Sequence, residues 1–353
     1  MIPLQELKKQ RNSSIELFRI LVAFFVLIVH LNGWMAGGMV SWDDASISEG
    51  HKITQLIIEV LCIVCVNGFI IISGWYGLTL RFSSVWKLWT QLVCIYVPFC
   101  VVESFLQHHF SILDFGISFI ALGRENYFVQ DYLFLLLLSP ILNAFLEKYR
   151  KRSAYLVLFL WMLEVIFELV FRNKSLHIHY GYSLFHFVII YLLGRVANMN
   201  KDRILRVNPW KWVMTFLFCA MMLCFAWTIK PHSYMLAYSN PVVVIESFAL
   251  FFLFVYREFH NKTINTIAGS TFAVYIIQVT SPVKDWLFSV DKWALGTMPY
   301  AKYILMMLAF AFCFFFVCVG YDRLRVTLLG RLLSKAGERI NMEFMKALYA
   351  FDV

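Results

Sequence analysis

The chain has 353 residues, 61% of them hydrophobic and only 15% charged, with a formal net charge of +9 at pH 7. This composition excludes a soluble globular fold and marks a polytopic membrane protein, with no polar block long enough to hold a second domain. The basic excess does not imply a nucleic-acid partner, because it is spread over the short segments between apolar runs.

Hydropathy predicts about ten membrane-spanning helices, at 15–36, 53–77, 85–106, 128–147, 153–171, 180–197, 210–229, 241–257, 264–289 and 301–322, within one all-α domain over 1–353. With the N-terminus inside, the inner segments are 1–14, 78–84, 148–152, 198–209, 258–263 and 323–353. These segments and the adjoining helix ends hold Lys8, Lys9, Arg11, Arg150, Lys151, Arg152, Arg195, Lys201, Arg203, Arg206, Arg323, Arg325 and Arg331. The first outer loop instead carries Asp43, Asp44 and Glu49. Such positive-inside asymmetry places both termini in the cytoplasm. The first span has the basic flank and apolar core of a signal peptide, but cleavage would leave an odd number of spans, so retention is expected.

Span one carries Arg19 and His30. Eleven residues at about 100° each return the helix to within roughly 20°, so the two side chains share a face, about 16 Å apart along the axis. An ionisable side chain in a span costs a few kcal/mol and points to function. The competing reading is an arginine that snorkels to the interface and a histidine satisfied within the bundle. Span two brings Glu59, then Asn67, Gly68, Ser73, Gly74 and Gly77, where small and amide side chains suit close helix packing or a ligand. Cys62 and Cys65 have the spacing of a metal or redox pair, but no second pair completes it. All eight cysteines fall in predicted spans and read as packing; no metal is expected.

Span three starts near Arg81 and Lys87 and ends near Glu103; span four holds Asp131 and, at Ser139-Pro140, a proline that frees a carbonyl. Glu164 and Glu168 follow in span five, His186 in span six and Glu246 in span eight. Cations thus sit toward the inner side and carboxylates toward the outer. A basic inner mouth suits a phosphate-bearing cytosolic donor, and outer carboxylates suit sugar hydroxyls. Ordinary interfacial charge is the alternative for Glu103, Asp131 and Glu246.

Four stretches carry a family likeness. Arg11, Glu16 and Phe18 lead into Arg19, with ten residues between Arg19 and His30; the run 66–74 passes from a valine through Asn67 to Ser73-Gly74. Segments 127–143 and 182–196 add a fourth and a later span, the latter containing Tyr191-Leu192-Leu193-Gly194. Together they resemble the acyltransferase 3 family of integral membrane acyltransferases over nearly the whole chain. Two departures stand out. Family members often end a late span with Tyr-x-x-His, where this chain has Gln278 after Tyr275, and the basic residues before span three are reduced to Arg81 and Lys87. No extracytoplasmic hydrolase-like domain of the kind some members append is expected after span ten.

The resemblance implies O-acyl transfer, most often acetyl from acetyl-CoA, to a hydroxyl of a surface or exported polysaccharide or its lipid-linked precursor, in a bacterial-type plasma membrane. Acyl-CoA is then a donor substrate, with no permanently bound cofactor, and the partners are the glycan acceptor and the bilayer, without nucleic acid. It implies His30 as general base or transient acyl carrier, with Glu59 orienting it. Arg19, Arg81, Lys87, Asn67, Ser73 and Gly74 would then contact the donor, and Glu164, His186 and Glu246 would lie on the acceptor side. A transporter or flippase for a glycan or lipid-linked intermediate is the rival reading, and it lacks the internal repeat many transporters show. An acyltransferase-like protein without activity is a third.

Overall fold

A computed structural model describes residues 11–120, 126–168 and 180–351. In chain order the helices are α1 (Ser13–Val29), continued by a π-helical turn (His30–Met35), α2 (Glu49–Cys62), α3 (Cys65–Tyr76), α4 (Phe82–Gln107), α5 (Ile112–Ile120), α6 (Tyr127–Lys148), α7 (Ser153–Ile166) and α8 (Leu184–Met199). They continue with α9 (Lys201–Leu205), α10 (Pro209–Ile229), α11 (Pro241–Val255), α12 (Lys262–Ala268), α13 (Thr271–Val279), α14 (Val283–Thr297) and α15 (Tyr300–Phe351). The described residues contain no strand, and the molecule is an all-α polytopic membrane protein. Local chemistry sets many of the helix starts. Asn12, Ser48, Asn126, Ser183, Asn208, Asn240 and Asn261 each accept a backbone N–H of the first turn, and α10 and α11 add a proline at their first position.

Seven helical stretches among the described residues are long and apolar enough to cross a membrane, or eight when the bent α13–α14 unit is one of them. The shorter apolar helices α7 and α8 fill the fifth and sixth predicted positions; residues 169–171 of the fifth lie outside the described residues.

Two predicted boundaries need correction. The ninth span was expected to run through 264–289, yet the helix stops at Val279 and α14 leaves at 74°. Pro282 explains the stop: it has no N–H to donate and disfavours helical geometry at the residue before it. The tenth span was expected to end at 322, but α15 runs on to Phe351 and is 52 residues long in all, about 78 Å at the usual rise and more than twice the hydrocarbon thickness. The basic residues that end the apolar run are good helix formers, and no proline follows, so the hydropathy changes while the helix does not. The extension is also held, as Trp86 of α4 donates its indole N–H to Leu333 O at 2.7 Å.

α3 is central. Its tightest neighbour is α8, where Gly74 and Gly194 face one another; a Cβ on Gly74 would stand 2.4 Å from Tyr191 O. α1 packs against α2, α3, α11, α12, α13 and α15, and its start is tied to α12 by Ser13 Oγ donating to Asn265 Oδ1 at 2.8 Å. Both internal prolines leave a carbonyl that finds another donor. Pro140 costs Leu136 O its helical partner, and Ser139 Oγ donates there at 2.8 Å. Pro98 does the same to Cys94 O, which accepts from Tyr321 Oη of α15 at 2.8 Å.

Candidate functional site

A cavity of about 1240 Å³ opens among α1, α2, α4, α10 and α13 at the end of the bundle that carries the loops after α1, α4 and α10. His30 and Glu59 both line it, as do Asp43, Glu103, His109, His232 and Lys284. Its aromatic surface comes from Trp34, Trp42, Tyr96, Tyr127, Tyr182, Trp227, Tyr238 and Tyr275. Mixed aromatic walls with a few convergent polar groups are the usual make-up of a small-molecule site.

The π-helical turn puts His30 there. The turn begins at His30, and Gly38 N closes it on Gly33 O at 2.7 Å. Such widened turns recur at functional sites. Gln55 of α2 holds it: Gln55 Nε2 donates to Asn32 O at 2.7 Å and to Gly38 O at 3.2 Å, and Gln55 Oε1 accepts Val40 N at 2.9 Å. Asn32 Nδ2 donates to Gln55 O at 3.0 Å and to Glu59 Oε2 at 2.8 Å. Gly33 gives the Glu59 carboxylate a close approach, since a Cβ there would lie a tight 3.2 Å from Oε1.

His30 and Glu59 share the cavity but not a hydrogen bond. The Glu59 carboxylate is taken by Asn32, whereas His30 Nδ1 lies 3.3 Å from Gln278 Oε1 of α13. The sequence pairing of Glu59 with His30 is therefore replaced by two separate pairs. The His30 ring also meets Trp34 edge to face, with centroids 5.3 Å apart.

Arg19 stands eleven residues before His30, about 16 Å away at the usual helical rise, and does not line the cavity. Its partner is Glu16, one turn back, with Nε donating to Oε2 at 3.0 Å. Arg81 is the residue before α4 and Lys87 lies in its second turn; both are exposed, at the end of the bundle opposite the cavity.

The remaining candidates are committed to the interior. Asn67, His186 and Glu164 form one buried chain: Asn67 Nδ2 donates to Tyr238 O at 2.9 Å, Asn67 Oδ1 lies 2.9 Å from His186 Nε2, and His186 Nδ1 lies 3.0 Å from Glu164 Oε1. Ser73 Oγ donates to Phe69 O at 3.0 Å and lies 3.3 Å from Tyr132 Oη, while Gly74 serves the contact with α8. Glu246 is fully buried, and neither of its oxygens has a hydrogen-bond partner among the described residues. None of Glu164, His186 and Glu246 lines the cavity, whose carboxylates are Asp43, Glu59 and Glu103. Sequence reading overlooked Asn32 and Gln55, whose signal was an amide at a position otherwise reading as apolar span. Among the described residues no cluster of His, Cys, Asp and Glu could hold a metal ion.

Residues 12–323 match the family model Acyl_transf_3, described as an acyltransferase domain. No curated protein and no solved structure matches the chain.

Proposed function

The chain belongs to the acyltransferase 3 family of membrane acyltransferases, and on that premise we propose that it transfers an acetyl group from cytosolic acetyl-CoA to a hydroxyl of a surface or exported glycan, or of its lipid-linked precursor. The observation that carries this reading is the placement of His30: one nitrogen is held by the protein, and the ring lines a large cavity rich in aromatic and carboxylate side chains. Aromatic faces suit the apolar faces of sugar rings, and carboxylates accept hydrogen bonds from sugar hydroxyls. At about 1240 Å³ the cavity exceeds the roughly 300–1,000 Å³ of an ordinary ligand site, leaving room for a saccharide and a thioester together.

In this reading the donor enters from the opposite, basic end, its phosphates near Arg19 with Arg81 and Lys87 at the approach. The pantetheine arm then covers the distance of about 16 Å from Arg19 to His30. His30 takes the proton of the acceptor hydroxyl as its oxygen attacks the thioester carbonyl. The carbon–sulfur bond breaks, the ester forms, and the proton passes from His30 to the departing CoA thiolate. Glu59 contributes an acceptor oxygen to the sugar from across the Gly33 gap. The site then belongs in a bacterial plasma membrane, with the acceptor on the outer side.

Base-labile acetate on cell-surface glycan tests this in three strains: gene deleted, complemented, and complemented with His30→Ala. Acetate that disappears on deletion and returns only with the unmutated protein is the expected result. Equal acetate in all three refutes acetyl transfer to glycan, and direct acyl-CoA binding then becomes the next assay.

A further inference from the structure

We propose that Gln278 is a positioning residue for the reaction: it fixes His30 with the proton on Nδ1, so that Nε2 is the nitrogen that accepts the hydroxyl proton. The inference rests on the role of His30 proposed above.

Gln278 lies at the end of α13, is completely buried, and presents Oε1 to His30 Nδ1 at 3.3 Å. A carbonyl oxygen only accepts, so the hydrogen of this bond sits on Nδ1. His30 has no second hydrogen-bond partner among the described residues, which leaves Nε2 for an occupant of the cavity it lines. A ring at the first residue of a π-helical turn is oriented by this bond and by its edge-to-face contact with Trp34.

Gln278 is also poorly explained as packing. Its amide Nε2 is buried without a hydrogen-bond partner among the described residues. An unmet buried donor is costly, and an apolar side chain of the same size would avoid that cost. The helix that carries it is held in register: Tyr275 Oη donates to Asn126 Oδ1 at 2.7 Å, and Asn126 Nδ2 donates to Tyr96 Oη at 3.2 Å. The amide therefore reaches His30 from a braced backbone. Its acceptor oxygen orients the imidazole, a division of labour in which a second group selects the tautomer of the base.

The first test uses the unmutated protein in lipid nanodiscs with ¹⁵N-labelled histidine, the His30 signals being assigned by their loss in His30→Ala. The expected spectrum shows neutral His30 protonated on Nδ1; protonation on Nε2 overturns the proposal. Kinetics supply the second test. Gln278→Leu should lower kcat on the order of 10- to 100-fold, part of the roughly 10²–10⁴ a general base supplies, with KM for acetyl-CoA and acceptor within about twofold. Gln278→Glu, which keeps an acceptor oxygen at the same reach, should recover turnover to within about threefold of the unmutated protein. Unchanged kcat in Gln278→Leu overturns the positioning role while leaving the proposed function intact. Full turnover by His30→Ala removes the premise instead, so the two failures are distinguishable.

Discussion

At His186 the hydrogen-bond accounting leaves one proton to be shared. Asn67 spends its amide N–H on Tyr238 O, so its Oδ1 requires a donor, and His186 Nε2 must carry hydrogen. The one remaining proton lies between Nδ1 and Glu164, giving either an imidazolium–carboxylate pair or a neutral imidazole beside a carboxylic acid. All three side chains are buried, so this chain is a structural pin joining α3, α7 and α8. Removing one member strands the others. His186→Leu should destabilise the fold by about 3–5 kcal/mol, read as a lower thermal midpoint in detergent. His186→Leu with Glu164→Leu should recover much of that loss, because replacing both buried partners by apolar groups is close to neutral. A double variant no more stable than the single one would show that the pair is not the source of the loss. By contrast His30 has one held nitrogen and a place on the cavity wall. Two histidines of the same type are thus separated by what surrounds them.

Proline marks the elements most clearly. In α4, Pro98 leaves Cys94 O without its helical donor, and the hydroxyl of Tyr321 on α15 fills the gap. A broken backbone bond thereby becomes a bond between helices, in a medium where water cannot substitute. Tyr321→Phe should cost about 1–3 kcal/mol by leaving that carbonyl unmet. Pro98→Ala in the same background should restore most of it by returning a backbone N–H. A thermal-unfolding double-mutant cycle measures the coupling, and additive effects would contradict it. Pro282 acts in the opposite way. The chain turns through 74° there and puts Val279, Thr280, Ser281 and Lys284 on the cavity wall.

For the whole molecule, the cavity and the basic end lie at opposite ends of the bundle, joined by the Arg19–His30 face of α1. Cys100 lines the cavity, whereas Cys62 and Cys65 are buried in the core. In a protein retaining only Cys100, a membrane-impermeant thiol reagent applied outside intact cells should label it, and added acceptor glycan should slow the labelling. Labelling only after the cells are opened would reverse the orientation assigned from the basic residues. The same experiment thus tests the outer location of the cavity and its occupancy by the acceptor.

Much of this organisation is legible along the chain. Hydropathy located apolar helices at the predicted positions, because a bilayer forces each crossing segment to satisfy its own backbone and present apolar side chains. Helical periodicity put Arg19 and His30 on one face, since that relation depends only on residues within one helix. Helix ends were less legible: the 323–351 extension of α15 is basic yet helical, so polarity and helix termination parted company. The partners of the site residues lay beyond local reading altogether. Gln278 is 248 positions from His30, and His186 is 119 from Asn67. Glu59 and His30 were placed at one depth by sequence, but only packing decided that Asn32 takes the first and Gln278 the second. The sequence by itself determined the membrane class, the apolar segments and the chemistry carried on each face, because solvent preference and periodicity are properties of single segments. Tertiary structure decided which faces meet and which polar groups become partners or cavity wall, because those relations depend on how separate helices pack.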